Sequence, residues 1–187
     1  MRELNYTESH CTFETKHLLI RNIIENNVDQ KQKLAGDTLH LLTSKVTEFL
    51  PDSWQDIKSI DDSLKWIEDR QKESTFLNVK RLVTGELIGF IFIYEPENQE
   101  KYFDLMFGYL LSEACWGKGY GTELIKGLVN WSKNFGNIKS LSGGVATKNT
   151  GSVRVLEKCG FISLDQDRTD GETMMFKQEF NTNFSEI

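Results

Sequence analysis

Between an apolar run and an amphipathic stretch the chain reads LLSEACWGKGYGTELI, Leu110 to Ile125, with glycine at every second position from 117 to 121. Without side chains at Gly117, Gly119 and Gly121 the backbone can approach a ligand closely and present its amides. The following helix has N–H groups in its first turn that lack intrahelical partners, and its dipole favours negative charge there. The segment therefore reads as an anion site built from backbone. A nucleotide P-loop requires four residues between its first Gly and a closing Gly-Lys-Ser/Thr, and no such string occurs. The dinucleotide fingerprint fails as well, because its third glycine position is Thr122.

Charge distribution supports a small polyanion. From Trp116 to Gly160 there are seven basic residues (Lys118, Lys126, Lys133, Lys139, Lys148, Arg154, Lys158) against Glu123 and Glu157, a local +5 in a chain of net −6 that leaves −11 for the rest. The acidic total argues against nucleic-acid binding, which needs a concentrated basic surface. The acidic remainder would attract a cationic partner.

At 187 residues and 39% hydrophobic content the chain can bury one core, so a single domain over 1–187 is expected, its folded part spanning about 13–180. The apolar stretches are of strand length, well below the roughly 20 residues that span a bilayer, so no membrane association is expected. Met1 to Asn5 has no secretory-signal pattern, which predicts a cytoplasmic location. Cys11, Cys115 and Cys159 form an odd, sparse set without the close pairs of zinc or redox sites, and no metal is expected.

Periodicity predicts a first strand at Thr15 to Ile23, one helix from Val28 to Leu50 stopped by Pro51, and a second from Asp61 to Gln71 capped by Ser59 or Asp61. Thr75 to Val83 and Glu86 to Tyr94 flank Thr84-Gly85 as a hairpin, followed by an acidic loop from Glu95 to Glu100. Tyr102 to Leu111 is apolar on nearly every position, as a central strand requires. A half-buried helix at Thr122 to Phe135, a short strand at Ser140 to Ala146, a helix at Asn149 to Lys158 closed by Gly160, and a last strand at Glu172 to Phe180 complete the chain.

A second segment, NTGSVRVLEKCGF from Asn149 to Phe161, follows the glycine loop at a suitable distance. Together the two resemble the GNAT superfamily of acyl-CoA-dependent N-acetyltransferases, whose pyrophosphate loop reads Arg/Gln-x-x-Gly-x-Gly/Ala and whose later helix opens with Asn and ends in Gly-Phe. Gly119 and Gly121 match that loop, while Trp116 stands where Arg or Gln is usual. The Trp-Gly-Lys-Gly-Tyr string and the opening TKHLLIRNI are similar to the Rim-type branch, which includes ribosomal-protein N-terminal acetyltransferases. Members of the superfamily acetylate proteins, antibiotics and small amines, so the branch does not by itself name the acceptor.

The resemblance implies a mixed, mostly antiparallel sheet flanked by helices and splayed near its middle into an acyl-CoA cleft. Acetyl-CoA would be the co-substrate and an amine the acceptor, either a peptide N-terminus or a small molecule; monomer and homodimer both remain open. The Leu111 amide would polarise the thioester carbonyl. Trp116, Gly117, Lys118, Gly119, Tyr120, Gly121 and Thr122 would hold the pyrophosphate, and Asn149 the pantetheine arm. Ser152 would stabilise or protonate the departing sulfur, since the Tyr that many relatives carry four positions later is Leu156 here. The Glu that Rim-type relatives often place three residues before the strand's Tyr is Met106, so either Asp104 takes the amine's proton through water or solvent does.

Cys115 and Cys159 lack a neighbouring His in sequence, which favours direct attack in a ternary complex over a covalent acetyl-enzyme. Trp54, Trp66, Asp52, Asp56, Asp61 and Asp62 fall where this superfamily walls its acceptor site; they form an acidic, aromatic approach to a cationic amine or else are core and helix caps. A catalytically silent acyl-CoA sensor or scaffold is the alternative function, and a nucleotide-dependent switch a weaker one.

Overall fold

The computed structural model describes residues 11–23, 27–96, 102–164 and 172–180. Met1 to Asn5 and all but the first two residues of the Glu95 to Glu100 loop lie outside these.

Among the described residues, alternating and continuous apolar runs form eight strands: β1 (Phe13–Glu14), β2 (Leu18–Asn22), β3 (Thr75–Arg81), β4 (Leu87–Tyr94), β5 (Phe103–Leu111), β6 (Ile138–Ala146), β7 (Ile162–Ser163) and β8 (Thr173–Glu179). They make one sheet in the order β1-β2-β3-β4-β5-β6-β8-β7. Every neighbouring pair is antiparallel except β5 with β6, which run parallel. A parallel pair needs a crossover, and the helix Tyr120–Phe135 supplies it.

The helices are α1 (Val28–Leu41), α2 (Ser44–Thr47), α3 (Ile60–Glu73), α4 (Tyr120–Phe135) and α5 (Thr150–Lys158). Two cores result, one on each side of the sheet. Leu105, Phe107 and Leu111 of β5 face Leu124, Leu128 and Leu156 of α4 and α5. On the other side Leu110, Phe90 and Phe92 face Trp66, Ile67, Leu34 and Leu41 of α3 and α1. Each such buried side chain contributes about 1.5–3 kcal/mol relative to exposure. The second core is dense in rings: Phe76 stacks on Phe92 at 5.3 Å, and Trp66 meets Phe76 edge-on at 5.7 Å.

The long helix expected from Val28 to Leu50 is two helices. The chain turns at Leu42 and Thr43, where the Thr43 side chain accepts from Val46 N and caps α2. The turn lets Leu41, Leu42 and Val46 all enter the core, and Thr43 Oγ1 also donates to Glu113 at 2.5 Å. The first strand, expected from Thr15 to Ile23, is a short hairpin in which Glu14 pairs with Leu19. Of the two proposed caps for α3, Ser59 is the one that accepts from Asp62 N, at 3.1 Å. Strand β6 begins at Ile138, two residues before the expected start, because it is held by partners on both sides. One apolar position on β5 departs from the expected burial, since Met106 is exposed, as is the neighbouring acid Asp104; the aromatic core of that face reaches only Leu110 on this strand.

Gly160 takes φ +87° just past α5, and Phe161 N returns to Leu156 O at 3.1 Å, a left-handed helix stop.

Candidate active site

The parallel pairing of β5 and β6 ends at Met106↔Ser142, while β5 continues to Leu111 and β6 to Ala146. At the branch point the strands still touch, because a Cβ on Gly143 would lie 2.8 Å from the Phe107 carbonyl oxygen. Beyond it they splay and leave a cavity of about 200 Å³ between them, lined by Tyr109, Gly144, Ala146, Asn149 and Ser152 among others.

Backbone direction in this gap follows from the β4–β5 ladder. Ser112 N donates to Ile88 O at 2.8 Å, and Leu110 stands opposite Phe90. Successive residues of an antiparallel strand point their N–H and C=O to opposite sides. The amides of Tyr109 and Leu111 therefore point away from β4 and toward β6, where the ladder is missing. Gly89 makes this placement possible: a Cβ there would fall 2.3 Å from the Leu110 carbonyl oxygen. Only glycine admits such a close backbone approach.

At the end of β5 a turn of 3₁₀ helix, Glu113–Cys115, leads into the glycine loop. Gly117 and Gly119 take φ +70° and +86°, and a Cβ at either would meet nothing within 4 Å. The concave face of the loop is thus open. Helix α4 starts at Tyr120, two residues before the expected Thr122, because left-handed Gly119 is its cap. No side chain caps it, whereas Asn27, Thr43, Ser59 and Asn149 cap the other four described helices. The first intrahelical donor is Glu123 N, to Gly119 O at 3.0 Å. The amides of Tyr120, Gly121 and Thr122 remain as donors for a ligand.

Side chains around the loop divide between anchoring and opening. Trp116 Nε1 donates to the Leu111 carbonyl at 2.8 Å, tying loop to strand. The Tyr120 ring packs edge-on against His17 at 6.3 Å, with the Arg81 guanidinium 5.6 Å above it. Lys118 is exposed. Lys126 and Lys158 line, together with Gly119 and Thr122, a groove of about 850 Å³ that runs along α4 to Phe13. Glu123, the acid of this first turn, is held by Thr15 Oγ1 at 2.5 Å, His17 N at 2.7 Å and the His17 ring at 2.8 Å.

Across the cleft, Asn149 Oδ1 accepts from Ser152 N at 3.0 Å and caps α5 while its residue also lines the cavity. Ser152 lines it one turn along. Tyr109 is the residue that sequence reasoning missed. Burial pushes its hydroxyl up to about 12, and a side-chain hydrogen bond with Ser152 acts in the opposite direction. Leu156, where relatives carry Tyr, lines the same cavity, so β5 brings a phenol to a space that α5 leaves empty of one. A tyrosine on a strand predicted to be buried was the available signal.

Asn149 and Ser152 thus line the gap between the strands, Gly119 and Thr122 line the groove along α4, and Leu111 ends the strand that leads from one to the other. Asp104 does not join them. It lies on the paired part of β5, accepts from Ser140 Oγ and has Lys177 Nζ at 3.9 Å; the seven residues to Leu111 span about 23 Å of extended strand. Trp66 is core, and Trp54 lines the cleft. Asp52, Asp56, Asp61 and Asp62 are all exposed, with Asp62 serving the start of α3. Cys115 and Cys159 are buried, and desolvation raises the Cys159 thiol, which keeps it protonated and unreactive.

The sequence profile of the acetyltransferase (GNAT) domain matches residues 29–162, a stretch that contains the cleft, the loop and both flanking helices. The Bacillus subtilis (strain 168) protein described as "Probable N-acetyltransferase YjcK" is 41% identical over 54 residues, which are 29% of this chain and 30% of that protein. The match thus spans less than a third of that relative. Among solved structures, the GNAT-family acetyltransferase from Bacillus anthracis superposes with a TM-score of 0.68 at 15% identity, over 89% of this chain and 95% of that one. The Microcin C7 self immunity acetyltransferase MccE, solved in complex with acetyl-CoA and AMP, gives 0.65 at 17% identity, over 88% and 93%. At such identities the likeness is one of fold, whereas the domain profile covers well over half of the sequence, and the chain belongs to the GNAT acetyltransferase family.

Proposed function

We propose that this protein transfers an acetyl group from acetyl-CoA to a primary amine, which attacks directly in a ternary complex. The observation that carries the reading is the gap in the sheet, with the Leu111 amide directed to the side where the ladder is missing and the strand leading on to a helix N-terminus that no side chain caps. The residues fit the co-substrate. The open loop from Trp116 to Thr122 suits a pyrophosphate, and the Tyr109 and Leu111 amides can pair with an extended amide-containing arm. Lys126 and Lys158 in the adjoining groove suit the nucleotide phosphates. When bound, acetyl-CoA supplies the activated thioester.

The chain's residues then divide the work. Leu111 N–H donates to the oxyanion as the carbonyl is attacked, a fixed dipole that needs no reorganisation. Asn149 holds the arm. The Ser152 and Tyr109 hydroxyls lie together in the gap, one donating to the other and the remaining O–H donating to the departing sulfur. Asp104 sits too far along β5 to serve as base, and the amine loses its proton to solvent before attack. The motif likeness supports the Rim-type branch, with a peptide N-terminus or a small amine as acceptor. Three free, buried cysteines suit a reducing, cytoplasmic setting.

Calorimetric titration with CoA, acetyl-CoA and ATP, followed by a thiol-release assay, tests the reading. CoA-selective binding with thiol release on adding an amine is expected. Equal affinity for ATP, or no binding of CoA, would overturn it.

A further inference from the structure

The far end of the cleft is walled by Phe49, Leu50, Trp54, Phe92 and Tyr94, and among the described residues no side chain lining the cavity carries a formal charge. The acids that the sequence suggested for this wall point elsewhere: Asp56 pairs with Lys58 at 3.1 Å, and Asp52, Asp61 and Asp62 are exposed outside the cavity. Among the described residues, an ammonium entering the cleft therefore meets no counter-charge in its lining.

Trp54 strengthens this. Its ring packs 4.8 Å from Phe92 and lies under the Arg70 guanidinium, whose carbon is 4.0 Å from the ring centre. The Arg70 side chain is only 5% exposed, is paired with Glu73 at 2.9 Å, and has a buried Nη1 without a partner. Arg70 does not line the cavity, so the indole presents its other face or its edge there, with one face already taken by a cation. One face of the indole is occupied by Arg70, whose charge Glu73 partners, so that face is not free to attract a second cation. An uncharged ring loses nothing and gains stacking on Trp54 and Tyr94.

We infer that the acceptor is a primary amine carried next to an uncharged aromatic ring, and that Trp54, backed by Arg70, selects it. The inference rests on the acetyl-transfer reading above and deepens it. Such a ring occurs on arylalkylamines and at the N-terminus of a peptide that begins with Phe, so both sources belong in the test.

The test compares 2-phenylethylamine, a tetrapeptide beginning with Phe, and spermidine by thiol release, and titrates the N-acetylated form of each into the CoA-loaded protein. At least one aromatic acceptor should exceed spermidine in kcat/KM by about tenfold, and which one does identifies the source. Trp54→Leu should bring the ratio to within about threefold by raising KM for the aromatic acceptor. Arg70→Met combined with Glu73→Gln, which frees the ring face without leaving an unpaired acid, should improve spermidine relative to the aromatic acceptors, a change that loss of packing alone would not produce. Spermidine equal to or better than both aromatic acceptors overturns the inference, as does an unchanged ratio in both variants. Absence of turnover does not shield it, because failure of every aromatic N-acetyl product to bind the CoA-loaded protein overturns it too. Failure of CoA to bind would instead overturn the acetyl-transfer reading.

Discussion

Trp116 Nε1 donates to the backbone carbonyl of Leu111 at 2.8 Å, across five residues of chain. The bond fixes a side chain that is otherwise 49% exposed, and it joins the start of the glycine loop to the strand residue whose amide enters the cleft. It also explains the unusual residue at this position, since an indole can supply a donor where the loop pattern expects Arg or Gln.

Trp116→Phe keeps a ring and removes the donor. The loss of one hydrogen bond, about 0.5–1.5 kcal/mol, should appear as a weaker Kd for CoA by about 2–12-fold, with little change in Tm. Calorimetry on the folded variant checks this. An unchanged Kd would mean that the Leu111 latch does not order the loop.

Gly119 sits at φ +86° with open space around it. Gly119→Ala therefore creates no clash, but it places a Cβ in the left-handed region at a cost of about 1–2 kcal/mol. Urea unfolding should show that loss together with reduced CoA affinity, whereas the exposed Lys118→Ala should stay within about 0.5 kcal/mol of wild type. Equal stability of the two variants would argue that the loop does not hold this conformation in solution.

Tyr109 and Ser152 act as a pair in the proposed reaction. Tyr109→Phe and Ser152→Ala should each lower kcat about tenfold or more while leaving the Kd for CoA nearly unchanged. The double variant should be worse by less than the product of the single effects. A full multiplicative loss in the steady-state rates would show that the two hydroxyls work independently.

Burial raises Tyr109 to about 12, against a side-chain hydrogen bond from Ser152, so the folded state keeps this proton longer than the unfolded chain, whose tyrosine titrates near about 10. The stability linked to it is complete below the unfolded value and is lost as pH rises through the folded one. Tyr109→Phe should flatten that alkaline decline in denaturation curves taken from pH 9 to 11. A slope equal to that of wild type would contradict the buried placement of this hydroxyl.

For Glu123 the sign is opposite. Desolvation raises its carboxyl, but hydrogen bonds from Thr15 and from the backbone and ring of His17 outweigh it and bring the net shift down. The associated stability is present above the unfolded value and is lost as pH falls through the folded one. Glu123→Gln should cost about 1.5–3 kcal/mol near neutrality, as for a hydrogen-bonded charge, by loosening the β1–β2 hairpin from α4. The gap to wild type should close toward pH 3 in urea titrations. A gap that persists there would assign the loss to packing instead.

Much of the local structure was legible because it depends on neighbours in sequence. Gly160 announced the stop of α5 and Asn149 its start, and both take those roles. The glycine loop was legible for the same reason, since alternating residues without side chains expose backbone whatever the rest of the fold does. Boundaries set by distant partners were not. Thr43 breaks the long apolar stretch by bonding to Glu113, 70 residues away, and periodicity cannot register such a contact.

The amino-acid sequence by itself determined where most strands and helices form, that Asn149 caps α5, and where glycines bare the backbone amides. Only the tertiary structure decided what meets across the cleft. It splays β5 from β6 after Met106, which puts Leu111 and Tyr109 in the gap and leaves Asp104 on the paired side. It sets Tyr109 against Ser152, and it stacks Arg70 on Trp54. Short-range patterns follow from the steric and hydrogen-bonding needs of adjacent residues, whereas these pairings come from strand register and helix docking, in which the partners lie tens of residues apart and the chain between them carries no record of the distance.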